Sequence, residues 1–375
     1  MISNIQLLRA LAAMAVVYFH GSYIFGGVHT DLKAVAIFFV VSGFIMTHIS
    51  RSRADGFMVN RITRVVPLYW VCTIAFFMLI NLELMNPIYK IPQIWGWLLH
   101  DRTTLQWYLE HKTGFTDGQL VGQLVRSLTF IPFRNDQGFM FPVLGVGWTL
   151  NLEMYFYVIF AVCLMINTRW APILTAIVIL FVKLSVWITI DPGELLMFYG
   201  DRYTGFFVLG IATYYIWHVR PASFENWVVT HRWTIGIVIA IALSTFNYFP
   251  LREIKALIGY APAMFLYFML PFATVLFALF LNNKGLCASS RTILLLGEAS
   301  FSIYLTHPFV AVIVETTLKR YPEMSGLMRP VAFAFFMAIC AVIGIFVHRK
   351  IEMPLLSYAR LASRFRSTTN TRNPV

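Results

Sequence analysis

Charge is what this chain has least of. Asp, Glu, Lys and Arg make up 12% of its 375 residues, where soluble domains carry about 25%. Only 17 residues are acidic, against 29 Lys and Arg. With 59% of its residues apolar, the chain cannot solvate the surface of an ordinary soluble globule, and that class is excluded. The apolar residues fall in runs of about 18 to 22, the length at which a helix crosses a bilayer core. Cysteine is also scarce: Cys72, Cys163, Cys287 and Cys340 form no CxxC pair and no Cys/His cluster. That spacing indicates neither a zinc site nor a disulfide framework, and no metal is expected. A compact basic start before the first apolar run is missing as well, so this run reads as a retained span rather than a cleaved signal.

The pattern predicts an all-α, polytopic membrane protein of about ten transmembrane helices. Their limits fall near 5–25, 33–50, 65–82, 146–167, 171–190, 202–218, 232–250, 261–282, 293–315 and 328–349. Residues 1–350 form the membrane domain and 351–375 a basic cytoplasmic tail. The connections are short except for 83–145, rich in Trp and Tyr, which is expected to lie along the bilayer or partly re-enter it. The net charge of +12 comes from Lys and Arg that flank apolar runs rather than gather on a soluble domain, so nucleic acid is not a partner. Counted over short connections, about 15 basic residues fall on the side of the N-terminus and about 7 on the other. Both termini are therefore expected in the cytoplasm.

The first span, "LLRALAAMAVVYFHGSY", carries Arg9 and His20. Eleven residues at about 100° each return to within roughly 20° of the same face, about 16 Å further along the axis. Ionisable groups in a span mark function by default, although a snorkelling anchor and a satisfied interhelical histidine explain them equally well. The second span contains Ser42 and Gly43, small residues that suit helix packing. Arg61 and Arg64 stand i, i+3 on one face ahead of the third span, where guanidinium groups suit phosphate or a lipid headgroup. In "GWTLNLEMYFY", Glu153 lies inside an apolar run, preceded by Trp148 and Asn151. It is expected to be protonated, paired, or exposed to a polar cavity. Late in the chain Tyr304 and His307 share a helical face before Pro308. Lys183, in the middle of the fifth span, reads as a structural or snorkelling cation.

Taken together and in order, "LRALAAMAVVYFH", "FFVVSGFIM", "RITRVVPLYW", "GWTLNLEMYFY" and "FSIYLTHP" resemble acyltransferase family 3, the integral membrane O-acyltransferases. Within it the similarity leans to the branch that acetylates bacterial exopolysaccharide, and it runs from about residue 3 to about residue 350. The resemblance implies transfer of an acyl group, most often acetyl, from coenzyme A to a sugar hydroxyl in the bacterial inner membrane. It assigns transfer to Arg9 and His20, and the acyl-CoA side to Arg61 and Arg64, with Ser42 and Gly43 in the adjoining motif. It places Tyr69, Trp148, Asn151, Tyr304 and His307 around the substrate. Two departures stand out: Ala34, Val35 and Ala36 replace a Gly-Val-Asp of many members, and Met154 replaces a second Glu. Neither missing carboxylate can act here, which leaves Glu153.

Read against that reaction, His20 is the expected general base, since imidazole titrates nearest the working pH. A covalent acyl-histidine is the second route. Glu153 orients or stabilises the histidine, and Arg9 meets developing negative charge or holds coenzyme A. Acetyl-CoA is a co-substrate, and no cofactor is permanently bound. The acceptor is a lipid-linked oligosaccharide or polysaccharide, with polysaccharide assembly proteins as candidate partners. The rival reading from the residues is a transporter or flippase of lipid-linked glycans, with the same ionisable groups lining its path. Within the enzyme reading, a succinyl donor or a lipopolysaccharide acceptor is the runner-up.

Overall fold

The structure, a computed structural model, describes residues 2–27, 33–50, 56–113, 117–135, 138–249, 251–320 and 328–358. Most of the basic tail lies outside these. All regular elements among the described residues are helices, as the apolar runs predict. The first three are α1 (Ser3–Phe25), α2 (Lys33–Ser50) and α3 (Phe57–Asn81). The long connection folds into α4 (Pro87–His100), α5 (Arg102–His111) and α6 (Gly118–Leu128). There follow α7 (Trp148–Ile166), α8 (Ala171–Ile188), the short α9 (Glu194–Tyr199), α10 (Thr204–Val219), α11 (Ala222–Thr230) and α12 (Arg232–Tyr248). The chain continues with α13 (Leu251–Ile258), α14 (Tyr260–Asn283), α15 (Arg291–Glu298), α16 (Ser300–Arg320) and α17 (Met328–Val347).

Among the described residues eight helices are long and apolar enough to span a bilayer, and a ninth span results if α11 and α12, bent by 73°, count as one. The protein is a multi-pass membrane protein. The expected ten differ from this because α10, placed where the sixth span was expected, has only 16 residues. Two boundaries also move. The expected span 293–315 is broken: α15 ends at Glu298 and a separate helix, α16, begins at Ser300. The last helix does not stop near 349 but passes through a π-helical turn at His348–Glu352 and continues to residue 358. A rising apolar signal finds the middle of a span and is blind to such backbone details.

The described chain divides into two compact units, Met1–Asn60 with Tyr155–Tyr304, and Arg61–Met154 with Leu305–Val375. In the first unit α2 and α10 run side by side at backbone contact. A Cβ on Gly43 would stand 2.3 Å from the Phe207 carbonyl oxygen, and one on Gly210 would stand 2.3 Å from that of Val40. Only glycine permits that approach, the small-residue packing expected between membrane helices. Phe207 then stacks on Phe156 of α7 and Phe39 of α2, with ring centroids 4.3 and 4.5 Å apart. α1 lies against α15 in the same manner, since a Cβ on Gly297 would meet the Gln6 carbonyl oxygen at 2.3 Å.

The start of α1 is pinned by Asn4. Its amide donates to the carbonyls of Ala278 and Leu286 at 3.0 and 2.9 Å and accepts from the Ala288 N–H at 2.8 Å. At the same end Glu225 gathers Arg220, Asn283 and Lys284 at 3.1, 2.8 and 3.9 Å. Lys183 is structural, as expected: its ammonium donates to the carbonyls of Gly200 and Asp201 at 3.3 and 2.9 Å, tying α8 to the turn that opens α10.

In the second unit, two adjacent aromatic residues of α3 hold the end of α6. Tyr69 Oη donates to the Ser127 carbonyl at 3.2 Å and Trp70 Nε1 to that of Leu128 at 2.8 Å. Phe76 packs edge-on against Phe309 of α16, centroids 5.2 Å apart. Outside the spans, α4 and α5 form a hairpin around Lys90, whose ammonium sits 4.4 Å from the Tyr108 ring and 3.2 Å from Glu83.

Candidate active site

The first unit carries Arg9, His20, Ser42, Gly43 and Tyr304. Arg9 and His20 are both half-buried on α1, and continuous helix between them fixes their separation at about 16 Å. An Arg9 Nη contacts Gln6 Oε1 at 3.4 Å, which steadies the guanidinium along the helix. The His20 ring stands edge-on to Phe19, centroids 5.3 Å apart. α1 ends just beyond it, at Gly26, whose φ of 71° lies in the left-handed region that glycine adopts without strain. His20 is thus less than two turns from one end of its helix while Arg9 is less than two turns from the other. Gly43 spends its missing side chain on the contact with α10 described above, and Ser42 beside it is half-buried. That packing by itself requires glycine at position 43. Tyr304 is buried, its ring edge-on to Phe38 at 6.3 Å.

The second unit carries Arg61, Arg64, Tyr69, Trp148, Asn151, Glu153 and His307. Here the structure brings Tyr69 together with the entry to α7. A Cβ on Gly147 would meet the Tyr69 ring at 2.8 Å, so tyrosine and glycine are packed face to face just before Trp148. Ser127, which accepts from Tyr69, also receives the Val143 N–H on its Oγ at 2.9 Å. One tyrosine therefore braces both strands of chain that lead into the Trp148–Glu153 motif. This brace is invisible in sequence, because 58 residues separate Tyr69 from Ser127.

Asn151 is 2% exposed, and its Oδ1 has no hydrogen-bond partner among the described residues. The Nε of Arg61 is in the same condition. A buried polar atom left unmatched costs about 1–3 kcal/mol, so such groups are retained where something else satisfies them. Both lie at positions expected to meet substrate: Arg61 on the acyl-CoA side, Asn151 within the Trp-to-Glu motif. Glu153 is half-buried two residues further along α7, and Arg64 is half-buried one turn beyond Arg61. His307 is fully buried on α16, three residues after Tyr304 and therefore on the same helical face.

A pair that the sequence reading passed over lies at the end of the last span. His348 Nδ1 and Glu352 Oε2 are 2.8 Å apart, both side chains buried, across the π-helical turn. π-bulges recur at functional sites. The signal available in the sequence was a His and a Glu four residues apart directly after an unbroken apolar run; the expected boundary at 350 divides them, leaving His348 in the last span and Glu352 in the tail.

Comparison with known proteins decides the family. The model of the acyltransferase 3 family, described as an acyltransferase domain, matches residues 2–349. This chain belongs to that family. It is an acyltransferase. It is 28% identical over 338 residues to the exopolysaccharide production protein ExoZ of Rhizobium meliloti, covering 87% of this chain and 90% of that one. It is 25% identical over 289 residues to nodulation protein 10 of Rhizobium leguminosarum, covering 68% of this chain and 72% of that one. With the peptidoglycan O-acetyltransferase OatA of Listeria monocytogenes it shares 23% identity over 247 residues, 59% of this chain and 35% of that one. No solved structure matches. The transporter reading gives way to the enzyme, and among the described residues no group of His, Cys, Asp and Glu is placed to hold a metal ion.

Proposed function

We propose that the protein is an O-acetyltransferase of the bacterial cytoplasmic membrane, moving acetyl from acetyl-CoA to a sugar hydroxyl of an exopolysaccharide or its lipid-linked precursor. The observation that carries this reading is the similarity to an exopolysaccharide production protein along 87% of the chain, with Arg9 and His20 set on one face of the first span. The orphaned Nε of Arg61 and Oδ1 of Asn151 support it, as polar atoms that a ligand would satisfy.

In this reading His20 accepts the proton of the sugar hydroxyl as the oxygen attacks the thioester carbonyl carbon. Arg9, about 16 Å from His20 along the helix, holds coenzyme A on the donor side rather than meeting the reacting carbonyl. The C–S bond then breaks, the ester forms, and the proton held by His20 passes to the departing coenzyme A sulfur. Arg61 and Arg64 hold donor phosphates at the cytoplasmic mouth. The roughly 16 Å between Arg9 and His20 is comparable to the reach of a pantetheine arm, so a donor gripped at its nucleotide presents its thioester deep in the membrane. Both termini are on the cytoplasmic side.

Membranes holding the protein, supplied with radiolabelled acetyl-CoA and a crude polysaccharide precursor, test this directly. The parent should label glycan, and His20→Ala at equal expression should label it at least about a hundredfold less, the low end for loss of a general base. Unchanged labelling by His20→Ala discards the base. No labelling by the parent with acetyl or succinyl donors across several acceptors discards the reading.

A further inference from the structure

The last turn of α3 closes the helix. The Leu84 N–H donates to the Leu79 carbonyl at 2.8 Å, and the Glu83 N–H to the Ile80 carbonyl at 3.1 Å. Glu83 itself has a φ of 51°, in the left-handed region. This paired closure ends a helix, so the chain leaves the span there instead of running on. α3 is one continuous helix long enough to cross a bilayer. The α4–α5 hairpin therefore stands at the membrane face opposite Arg61 and Arg64, which α3 carries near its start. Tyr108 of α5 ties the hairpin to the closed end, its Oη donating to the Leu82 carbonyl at 3.0 Å. Lys90 adds the ion pair with Glu83 described above.

The hairpin has two chemically opposite sides. On α4, Ile91, Trp95, Leu98 and Leu99 recur at i, i+4, i+7 and i+8, the spacing of a single helix face. All are exposed, Trp95 by 60% and Leu99 by 59%. On the other face of α4, Lys90 and Trp97 turn to the Tyr108 ring, whose centre is 4.4 Å from the ammonium and 5.1 Å from that of the indole. α5 reverses the pattern. Apart from Trp107, the residues it exposes are polar: Arg102, Thr103, Gln106, Glu110 and His111. With 14 residues, α4 measures about 21 Å, too short for a bilayer core of about 30 Å. A bare apolar face on a helix that cannot span calls for a partner. One is already at hand. Val71, Ile74 and Met78, at i, i+3 and i+7 on α3, are exposed on a span that stands in lipid, and the hairpin is bonded to the end of that span.

We propose that α4 lies flat in the interface of the leaflet remote from Arg61 and Arg64, with its Ile91, Trp95, Leu98 and Leu99 face sunk into the lipid and α5 above it in water. A lipid surface fits each feature of the hairpin. Tryptophan rings favour the membrane interface, and an amphipathic helix seats its apolar face about 5–10 Å into the boundary between headgroups and acyl chains. Lys90 lies between the two helices, where its stem covers ring surface and Glu83 meets its charge. The sequence left two arrangements open for this segment, along the bilayer or re-entering it, and they differ in depth. A re-entering helix meets lipid at a depth that changes along its axis; one seated flat keeps its whole apolar face at one level. The proposal holds whichever side of the membrane is cytoplasmic and whatever group is transferred.

Spin labels on single cysteines, in the full chain reconstituted into vesicles of phosphatidylcholine and phosphatidylglycerol, test the seat. Cys287, the exposed native cysteine beside three buried ones, is first replaced by serine. Labels at Ile91→Cys and Leu98→Cys should be reached more by oxygen than by a water-soluble nickel complex, with the order reversed at Gln106→Cys. The two α4 labels should also report the same depth, although they stand about 10 Å apart along the helix. Depths that differ by about that 10 Å make α4 re-entrant and overturn the proposal. Labels on α4 open to nickel put the face in water, and labels closed to both reagents put it against protein, a second copy or another chain; either result overturns it. A second readout needs no label. Trp95→Phe should lower the tryptophan emission that lipids brominated high on their chains can quench, and an unchanged quenchable share overturns the proposal as well.

Discussion

The second span and the last are opposites. α2 has a mean hydropathy of 1.7 and is 72% buried within the protein; the last span has the highest mean hydropathy, 2.6, and is 17% buried. α8, at 2.2, is 22% buried, and α14, at 2.3, is 44% buried. In water the most apolar segment would be the core. In a bilayer the lipid already satisfies apolar surface, so highly apolar helices such as the last span and α8 can be left facing it, and α2, with its small residues, can be the enclosed one. α1, at 1.4 and with Arg9 and His20, is 44% buried. Chemistry accordingly sits on the less greasy spans, where protein or ligand groups can satisfy it.

Substitutions that should matter on one side and not on the other probe this contrast. The largest effect is expected at the α2–α10 contact. Gly43→Leu sets a side chain against a backbone carbonyl 2.3 Å from its Cβ; its cost should exceed the roughly 1–3 kcal/mol of ordinary overpacking and abolish monodisperse protein in size-exclusion chromatography. Next comes the buried pair that interrupts the last span. Glu352→Ala leaves His348 buried without the carboxylate 2.8 Å away, a loss of about 3 kcal/mol to be read as a lower melting temperature in detergent. A smaller effect is expected from Tyr69→Phe, which removes the bond to Ser127 and about 1 kcal/mol. Because Tyr69 braces the entry to α7, its KM should change more than its expression. Val342→Leu should do least. Val342 is 66% exposed on α17, where extra bulk meets solvent lipid, and melting should shift by less than about 0.5 kcal/mol equivalent. A large effect there would dissolve the contrast.

Much of this was legible in the sequence. Runs of apolar residues announced the helices, since a bilayer demands backbone satisfaction within each span, and the fixed rise of a helix set Arg9 and His20 on one face. Ordered short motifs pointed to the family. Other features were not legible. α10 is too short to pass as a span yet packs against α2 through Gly210, and α15 is a helix separate from α16, with its Gly297 against α1. The π-helical turn exists only as a backbone register, so the expected boundary at 350 separated His348 from Glu352. Lys33 is only the first residue of the span 33–50 in sequence, and nothing local shows that rings of α12 and α14 lie beside its ammonium.

The sequence by itself determined the fold class, the approximate spans and the residues of the first helix, because hydropathy and helical period are local properties carried by neighbouring residues. The tertiary structure decided which glycines are indispensable, that Tyr69 braces the Trp148–Glu153 motif, and that Lys33 and Arg202 converge on one ring. These are contacts between residues tens to hundreds of positions apart, and only packing brings such groups within the few ångströms at which hydrogen bonds and cation–aromatic attraction act.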